Sequence, residues 1–111
     1  MVARGWVPHA GDIIWIEFDP QAGHEQAAHR PALVLSPAAY NGLTDLLLCV
    51  PMTTREKGYR FEVAIAGKPG GVALSDQVKS FDWRARHATK KGSASHAELD
   101  AVRIRVRQLI G

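Results

Sequence analysis

Residues 12–18 read Asp-Ile-Ile-Trp-Ile-Glu-Phe, and this run decides the fold of the first part of the chain. β-Branched and aromatic side chains in this density favour an extended strand. The Asp19-Pro20 pair that follows is typical of a turn, because proline presets the backbone angle and aspartate bonds to its own backbone. The sequence therefore predicts a β-strand over residues 12–18, followed by a turn.

Five further runs predict strands, by apolar content or by alternation of polar and apolar side chains: 32–35, 46–52, 60–65, 72–74 and 78–83. The run Leu46–Met52 is apolar on both faces, which predicts a central strand. Pro51 within it predicts a bulge or a strand end. Tyr40-Asn41-Gly42 and Lys68-Pro69-Gly70-Gly71 predict turns.

The last part of the chain changes from strand to helical spacing. The sequence Ser95-His96-Ala97-Glu98 predicts a helix start, because serine and glutamate at this spacing bond the unpaired N–H groups of a first turn. Apolar residues then recur on one helical face, at Leu99, Val102, Val106, Leu109 and Ile110, while Ile104 falls on the opposite face. Together these patterns predict one domain over residues 1–111, mainly β with a C-terminal helix, folded as a small antiparallel barrel.

Composition restricts the setting of the protein. A chain of 111 residues with 46% apolar content can bury one core. No apolar run approaches the roughly 20 residues of a membrane helix, and the first residues lack the apolar core of a signal peptide, so we expect no membrane partner. The single cysteine, Cys49, cannot form an intrachain disulfide, which indicates a reducing, cytoplasmic setting. Its place in a predicted buried strand indicates a small core residue.

Positive charge is concentrated in one segment. The net charge of +3 permits a nucleic-acid partner without requiring one. Five of the Lys and Arg residues lie between Lys79 and Lys91, where Phe81 and Trp83 are interleaved with them and Asp82 is the only acid. This mixture fits a groove in which cations hold phosphates and rings stack on bases. It fits equally well a basic rim over core aromatic residues.

A polar cluster, His24–Arg30, separates the first two predicted strands, and loops of this kind often carry catalytic groups. Metal-free RNA cleavage needs a base, an acid and a fixed cation, which Glu25, His29 and Arg30 could supply. A surface ion pair between Glu25 and Arg30 explains the same residues without any catalysis. A metal site at His24, Glu25 and His29 is the weaker hypothesis, because the spacing matches no common metal motif.

Thr53 and Thr54 end the predicted central strand next to two basic residues, Arg55 and Lys57. A hydroxyl at a strand end can donate to a phosphate oxygen. It can also simply cap the strand. The residues alone do not separate these two roles.

Several ordered blocks of the chain resemble the MazF/PemK-type toxin family, and its chromosomal MazF branch in particular. The matching blocks are 11–20, Glu25-Gln26-Ala27, His29-Arg30-Pro31-Ala32, 34–37, Val50-Pro51-Met52-Thr53-Thr54, 57–59, 76–80, 83–86 and 88–92. The resemblance implies an SH3-like barrel of the PemK/CcdB toxin type that works as a homodimer. It also implies a toxin of a type II toxin–antitoxin pair, neutralised by a MazE-like antitoxin whose acidic C-terminal tail covers the RNA groove.

The activity implied by the resemblance is a sequence-specific, metal-independent endoribonuclease. It would cut single-stranded RNA, chiefly mRNA, at a short ACA-like motif and leave 2′,3′-cyclic phosphate and 5′-hydroxyl ends, with no cofactor and no metal. On the matching positions, Arg30 and Thr53 are the catalytic pair and Glu25 is the acid/base. His29 is expected to assist the leaving group. The expected RNA-binding residues are Gln26, Lys57, Gln77, Lys79 and Arg86.

Two positions depart from the family pattern. Ala28 stands where close relatives usually have glycine, so a positive φ there would strain the loop. His24 replaces a common serine and adds a titratable group beside Glu25. Two alternatives follow: a non-catalytic CcdB-like toxin or RNA-binding module on the same barrel, and a toxin that binds RNA but cleaves it poorly because of Ala28.

Overall fold

The computed structural model describes residues 5–18, 29–67 and 70–111. The strands in that part are β1 (Asp12–Glu17), β2 (His29–Val34), β3 (Leu46–Thr53), β4 (Glu62–Ile65), β5 (Gly71–Leu74), β6 (Lys79–Asp82) and β7 (Thr89–Ser93). The helices are α1 (Ala38–Thr44) and α2 (His96–Ile110). The sheet order is β4-β5-β3-β2-β1-β7, with β6 paired to β3, and its pairs are antiparallel. This antiparallel half-barrel with a C-terminal helix confirms the predicted fold class.

The sheet has a core on each face, which explains the apolar run in β1. Successive side chains of a strand point to opposite faces. Ile13 packs with Leu33, Val50 and the α2 residues Leu99 and Val102. Its neighbours Ile14 and Ile16 belong to the second cluster, whose other buried members are Ala32, Val34, Leu47, Cys49, Phe81 and Trp83. Because both faces of β1 are covered, apolar side chains are favoured at the successive positions Ile13 and Ile14 and again at Ile16.

β3 is central, as predicted, because it pairs with β2 along one edge and with β6 and then β5 along the other. Leu48 directs its N–H to Ser36 Oγ and accepts the N–H of Leu35, so its backbone faces β2. Backbone groups alternate between edges, and Pro51, three residues on, therefore turns its nitrogen to the other edge. There β6 pairing ends at Cys49 and β5 pairing begins at Met52. The proline marks a change of partner, not the predicted bulge or strand end, and no donor is left unpaired.

Two sequence predictions are wrong in the N-terminal half. The predicted turn at Tyr40-Asn41-Gly42 is part of α1. The fully buried Asn41 side chain holds this helix in place by donating to the carbonyls of Pro8 and Ser36, and such tertiary contacts outweigh turn propensity. β2 begins at His29, so His29 and Arg30 lie on a strand and not in the predicted loop.

The other predicted elements agree with the structure in kind. Predicted strands correspond to β4, β5 and β6, with small shifts of their ends. β7 was not predicted, because its sequence, Thr-Lys-Lys-Gly-Ser, is polar and its place at the sheet edge depends on pairing with β1. The predicted turn at 68–71 lies partly outside the described residues.

Helix α2 begins at the predicted capping box, with Ser95 accepting from the Glu98 N–H and Glu98 accepting from the Ser95 N–H. Its apolar face is covered only at the N-terminal end. Leu99 and Val102 are buried, whereas Leu109 and Ile110 are 52% and 77% exposed. Neither described helix is long and apolar enough to cross a membrane.

The aromatic residues of the basic segment belong to the core. Phe81 and Trp83 are 8% and 4% exposed, so the interpretation as core aromatics is correct and base stacking on these rings is excluded. Cys49 is fully buried, as predicted, and desolvation raises the pKa of its thiol to about 12.

Candidate active site

Arg30 and Thr53 are brought together by the pairing of β2 with β3. In that pair Ala32 lies opposite Pro51, and the two strands run in opposite directions. Arg30 is two residues before Ala32 and Thr53 is two residues after Pro51, so in an antiparallel pair Arg30 comes opposite Thr53. Both line the same surface cleft.

The hydroxyl of Thr53 is oriented by its own backbone turn. Its Oγ1 accepts the N–H of Arg55 at 3.1 Å. A hydroxyl has one donor and two acceptor positions, so this bond leaves the Thr53 proton available to a group in the cleft. The arrangement suits donation to an oxyanion.

Gly71 allows β5 to approach the Thr53 backbone closely. Its φ is +135°, and a Cβ there would lie 2.6 Å from the Thr53 carbonyl oxygen. Val72, the next residue, is the register partner of Thr53. The glycine therefore supports the position of Thr53, a role that the sequence analysis, which predicted only a turn, did not identify.

One acid organises the segment that follows β3. The Glu62 carboxylate accepts the N–H of Lys57 at 2.9 Å and of Gly58 at 2.8 Å. Gly58 has a φ of +83°, which glycine adopts without steric cost. These bonds hold residues 57–58 against the start of β4.

Tyr59 continues this wall of the cleft and donates to Asp76 Oδ1 at 2.9 Å. The pKa of Tyr59 is raised above its ordinary value, mainly by desolvation and to a smaller extent by the hydrogen bond to Asp76 and the charge of that carboxylate. The phenol therefore stays protonated at neutral pH and keeps its bond to Asp76.

Two adjoining depressions share Arg30, Thr53 and Arg55, and together they form the Arg30–Thr53 cleft. The first is also lined by Lys57, Tyr59, Glu62, Leu74 and Gln77. The second is also lined by Trp15, Pro31, Met52, Thr54 and Gly70. Three cations line the cleft, and its one acid, Glu62, is already bonded to two backbone donors. The cleft is therefore suited to a phosphate chain.

Four of the predicted site residues meet in this cleft: Arg30, Thr53, Lys57 and Gln77. Glu25 and Gln26 lie outside the described residues, as do His24 and Ala28. The remaining three, His29, Lys79 and Arg86, do not line the cleft.

His29 is next to Glu17 instead. The two are register partners on β2 and β1, and His29 Nε2 lies 3.7 Å from Glu17 Oε2. The same oxygen lies 3.0 Å from His87 Nδ1. The adjacent residue Arg30 points to the other side of the strand, so His29 and Arg30 are separated by the alternation of β2.

Lys79 and Arg86 lie elsewhere. Lys79 is exposed on β6, opposite Cys49. Arg86 is half-buried, and its Nη1 donates to the carbonyl oxygens of Glu17 at 2.9 Å and Phe18 at 3.0 Å. Their RNA-binding roles stay predictions.

Sequence reasoning missed Arg55, Tyr59 and Glu62 as cleft residues. Arg55 had a usable signal, since it follows Thr53 by two residues. Glu62 and Tyr59 had none, because their places depend on how residues 54–61 turn back onto β4. Among the described residues, no three His, Cys, Asp or Glu side chains form a cluster that could hold a metal ion.

Comparison with known proteins identifies the family. Residues 9–110 match the family described as PemK-like, MazF-like toxin of type II toxin-antitoxin system. The chain is 56% identical to the endoribonuclease toxin MazF of Escherichia coli strain K12, over 112 aligned positions that cover the whole of both chains.

Solved structures agree with the sequence match. The crystal structure of MazF from Deinococcus radiodurans has a TM-score of 0.86 at 49% identity, covering 96% of this chain and 99% of that one. A crystal structure of MazE-MazF from the same organism has a TM-score of 0.84 at 42% identity, with the same coverage. Through its sequence and its fold, this chain belongs to the PemK-like, MazF-like family of toxins of type II toxin–antitoxin systems.

Proposed function

We propose that this protein is an endoribonuclease toxin that cuts single-stranded RNA at a short motif without a metal ion. The observation that carries the proposal is the meeting of Arg30 and Thr53 in a cationic cleft that also includes Lys57 and Gln77. The 56% identity to a protein named endoribonuclease toxin MazF supports the same activity.

The chemistry requires only side chains. Glu25 takes the proton from the 2′-hydroxyl, and the 2′-oxygen attacks the adjacent phosphorus. Arg30 and the Thr53 hydroxyl donate to the non-bridging oxygens as their charge increases. The bond from phosphorus to the 5′-oxygen breaks and that oxygen gains a proton. The products are a 2′,3′-cyclic phosphate and a 5′-hydroxyl, and no water is consumed.

His29 was predicted to protonate the leaving 5′-oxygen, but it does not line the Arg30–Thr53 cleft. Its imidazole lies beside Glu17, on the side of β2 opposite to Arg30. The role would require the ring to leave Glu17. The alternative donor to the 5′-oxygen is Glu25, which carries the proton that it has taken from the 2′-hydroxyl.

Binding of the RNA chain is assigned to the cations and amides around the catalytic pair. Lys57 and Arg55 are placed to contact phosphates, and the Gln77 amide can bond a base edge. Gln26 belongs to the same predicted set. The family resemblance implies recognition of an ACA-like triplet.

Regulation by an antitoxin follows from the same charges. A crystal structure of MazE-MazF is known from D. radiodurans. A MazE-like antitoxin with an acidic C-terminal tail would occupy the cationic Arg30–Thr53 cleft and exclude RNA. The working unit is proposed to be a homodimer.

The test is incubation of the purified protein, free of antitoxin, with a long single-stranded RNA in EDTA, followed by mapping of all fragment ends. Discrete cuts with 5′-hydroxyl and cyclic phosphate ends, at one shared motif, are expected. Cleavage that appears only after Mg²⁺ is added would contradict the mechanism. Intact RNA under both conditions, from folded protein, would favour the CcdB-like binding alternative or an inhibitory effect of Ala28.

A further inference from the structure

Among the described residues that line the Arg30–Thr53 cleft, Glu62 is the one acid. The cations around it are Arg30, Arg55 and Lys57. A negative charge at this place repels the phosphates of a bound RNA, because like charges raise the electrostatic energy of the complex. On charge alone, Glu62 would therefore weaken the binding of RNA, whereas its contacts indicate the opposite role.

Both oxygens of the Glu62 carboxylate are bonded to the backbone of the segment before β4. Oε1 accepts the N–H of Gly58 at 2.8 Å and Oε2 accepts the N–H of Lys57 at 2.9 Å, with a further contact from the Lys57 N–H to Oε1 at 3.2 Å. Two consecutive N–H groups that converge on one anion form a nest, and hydrogen bonds to a charged acceptor are stronger than neutral ones. The carboxylate therefore fixes the backbone that carries the Lys57 side chain.

The segment 55–58 has few other attachments to the fold. It has no regular secondary structure, and no backbone-to-backbone hydrogen bond joins it to the described part of the chain. Its first N–H bonds the threonine hydroxyl at the end of β3. The next anchor is Tyr59, whose carbonyl accepts the Glu62 N–H at 3.1 Å. Between these two anchors, the place of Lys57 depends on the Glu62 side chain.

We infer that Glu62 is a positioning residue: its carboxylate holds Lys57 where the ammonium meets an RNA phosphate, so that loss of this negative charge weakens the binding of RNA. The inference rests on the proposed function, because it takes Lys57 as a phosphate contact. It adds that the strength of this contact is set by a neighbouring acid, which acts through the backbone.

Two neutral variants separate the acceptor from the charge. Glu62→Gln and Glu62→Met both remove one negative charge and keep an unbranched side chain of similar length. Glutamine retains a carbonyl oxygen that can accept the two N–H groups, whereas the methionine thioether is only a weak acceptor. Because the change of charge is the same in both variants, any difference between them in RNA binding measures the effect of the acceptor.

Glu56 provides the matched control for charge. It precedes Lys57 in the same segment, is exposed and is not among the residues that line the cleft. Its carboxylate accepts no hydrogen bond within the part of the chain that the structure describes. Glu56→Gln therefore removes a negative charge near the cleft and no positioning contact. Its affinity for RNA should rise by no more than about twofold, because a single exposed charge is screened by salt.

The first experiment measures the affinity and the salt slope of binding to a 2′-deoxy single-stranded substrate that cannot be cut. For Glu62→Met we expect affinity to fall about three- to tenfold and the slope to fall by about 0.7, the value for one lost phosphate contact on a single strand. Glu62→Gln should keep the wild-type slope and bind at least as tightly as wild type. Binding by Glu62→Met as tight as that of wild type or of Glu62→Gln would overturn the inference.

Cleavage and a double-mutant cycle distinguish positioning from a general structural effect. With saturating RNA, single-turnover cleavage by Glu62→Met should stay within about twofold of wild type, because a contact with the RNA chain alone affects binding and not the chemical step. Lys57→Ala should lower the affinity of Glu62→Met by less than about twofold, because both changes remove the same contact. A chemical step that slows along with binding, or an equal effect of Lys57→Ala in both backgrounds, would contradict the inference.

Hydrogen exchange in the wild-type protein tests the contact without any substitution. After correction for intrinsic rates, the amides of Lys57 and Gly58 should exchange about tenfold or more slowly than that of Glu56, because hydrogen-bonded amides exchange only on local opening. Equal exchange would overturn the inference even if thermal unfolding shows that Glu62→Met is not folded at the assay temperature. Failure of the proposed function is seen separately, as wild-type protein that leaves cleavable RNA intact in EDTA.

Discussion

Arg30 and Arg86 are the same residue type, were both expected to contact RNA, and have opposite surroundings. Arg30 lines the Arg30–Thr53 cleft, and its side chain makes no hydrogen bond or ion pair within the part of the chain that the structure describes. Arg86 has a ring under its guanidinium and two carbonyls at its Nη1. The acceptors around an arginine, and not its presence in a basic segment, decide whether it is available to a ligand.

The strongest test of this comparison is Arg30→Ala. Because Arg30 is exposed, its loss should change the free energy of unfolding by no more than about 0.5 kcal/mol. Cleavage should fall about 10²- to 10³-fold, as when one oxyanion donor is removed. Single-turnover assays and thermal unfolding measure the two effects, with Arg107→Ala on the exposed end of α2 as the control. Near wild-type cutting by folded Arg30→Ala protein would remove Arg30 from the mechanism.

Gly71→Ala tests whether the cleft depends on its backbone support. The new Cβ would meet the Thr53 carbonyl at 2.6 Å, at a φ of +135°. We expect a loss of about 1–3 kcal/mol in unfolding free energy, the usual range for backbone strain, together with slower cleavage.

The control for that test is Gly58→Ala. Gly58 also has positive φ, but a Cβ there meets no atom within 4 Å. Its cost should be limited to the left-handed conformation, about 1 kcal/mol. Equal losses in urea unfolding of the two variants would show that the contact with Thr53 has no energetic weight.

Lys57 and Lys79 extend the comparison from arginine to lysine. Lys57 lines the Arg30–Thr53 cleft, whereas Lys79 lies on β6 outside it. If Lys57 contacts one phosphate, Lys57→Ala should lower the salt slope of binding to uncleavable RNA by about 0.7. The sequence prediction places Lys79 in the same groove, so Lys79→Ala should act likewise. An unchanged slope for Lys79→Ala would confine the bound RNA to the cleft.

The smallest expected effect concerns Glu98, an acid whose side chain, like that of Arg86, is hydrogen-bonded to backbone groups of the protein. The Glu98 carboxylate accepts hydrogen bonds from the N–H groups of Ala66 and Ser95. These bonds, that of Ala66 most strongly, lower the pKa of Glu98 below its usual range. A lowered folded-state pKa stabilises the protein above the unfolded value of about 4.3, and that contribution is lost as pH falls through the folded value. Glu98→Ala should cost about 1 kcal/mol at pH 7 and reduce the acid sensitivity of stability.

Urea unfolding between pH 3 and pH 7 measures this effect. Asp100→Ala, on an exposed position of the same helix, is the control. A wild-type stability that does not fall faster with acid than that of Glu98→Ala would contradict the assignment.

The elements that could be predicted are those whose pattern is local. The apolar run of β1, the all-apolar β3 and the Ser95–Glu98 capping box each carry their structure in their own residues. Asn41 shows the limit, because its helix is held by acceptors at Pro8 and Ser36 that only the fold brings near. β7 shows the same limit, since its polar residues form a strand only beside β1.

The pairing of Arg30 with Thr53 was predicted only through the family resemblance. The two residues come together because β2 and β3 pair antiparallel, whereas the residues alone placed Arg30 in a loop and left the role of Thr53 open. The separation of His29 from Arg30 required knowing that β2 begins at His29. The engagement of Arg86 required knowing that the turn before β7 lies against the end of β1.

The buried thiol of Cys49 can report local opening of the sheet through the rate at which it is alkylated. Only a thiolate reacts rapidly with alkylating reagents, and burial with a pKa of about 12 keeps this thiol closed to them in the folded protein. The residue lies on β3, the strand that ends at Thr53 and joins both parts of the sheet. The labelling rate of Cys49 therefore reports how often the central strand opens, and an antitoxin or RNA that tightens the cleft would slow that rate without touching the sulfur.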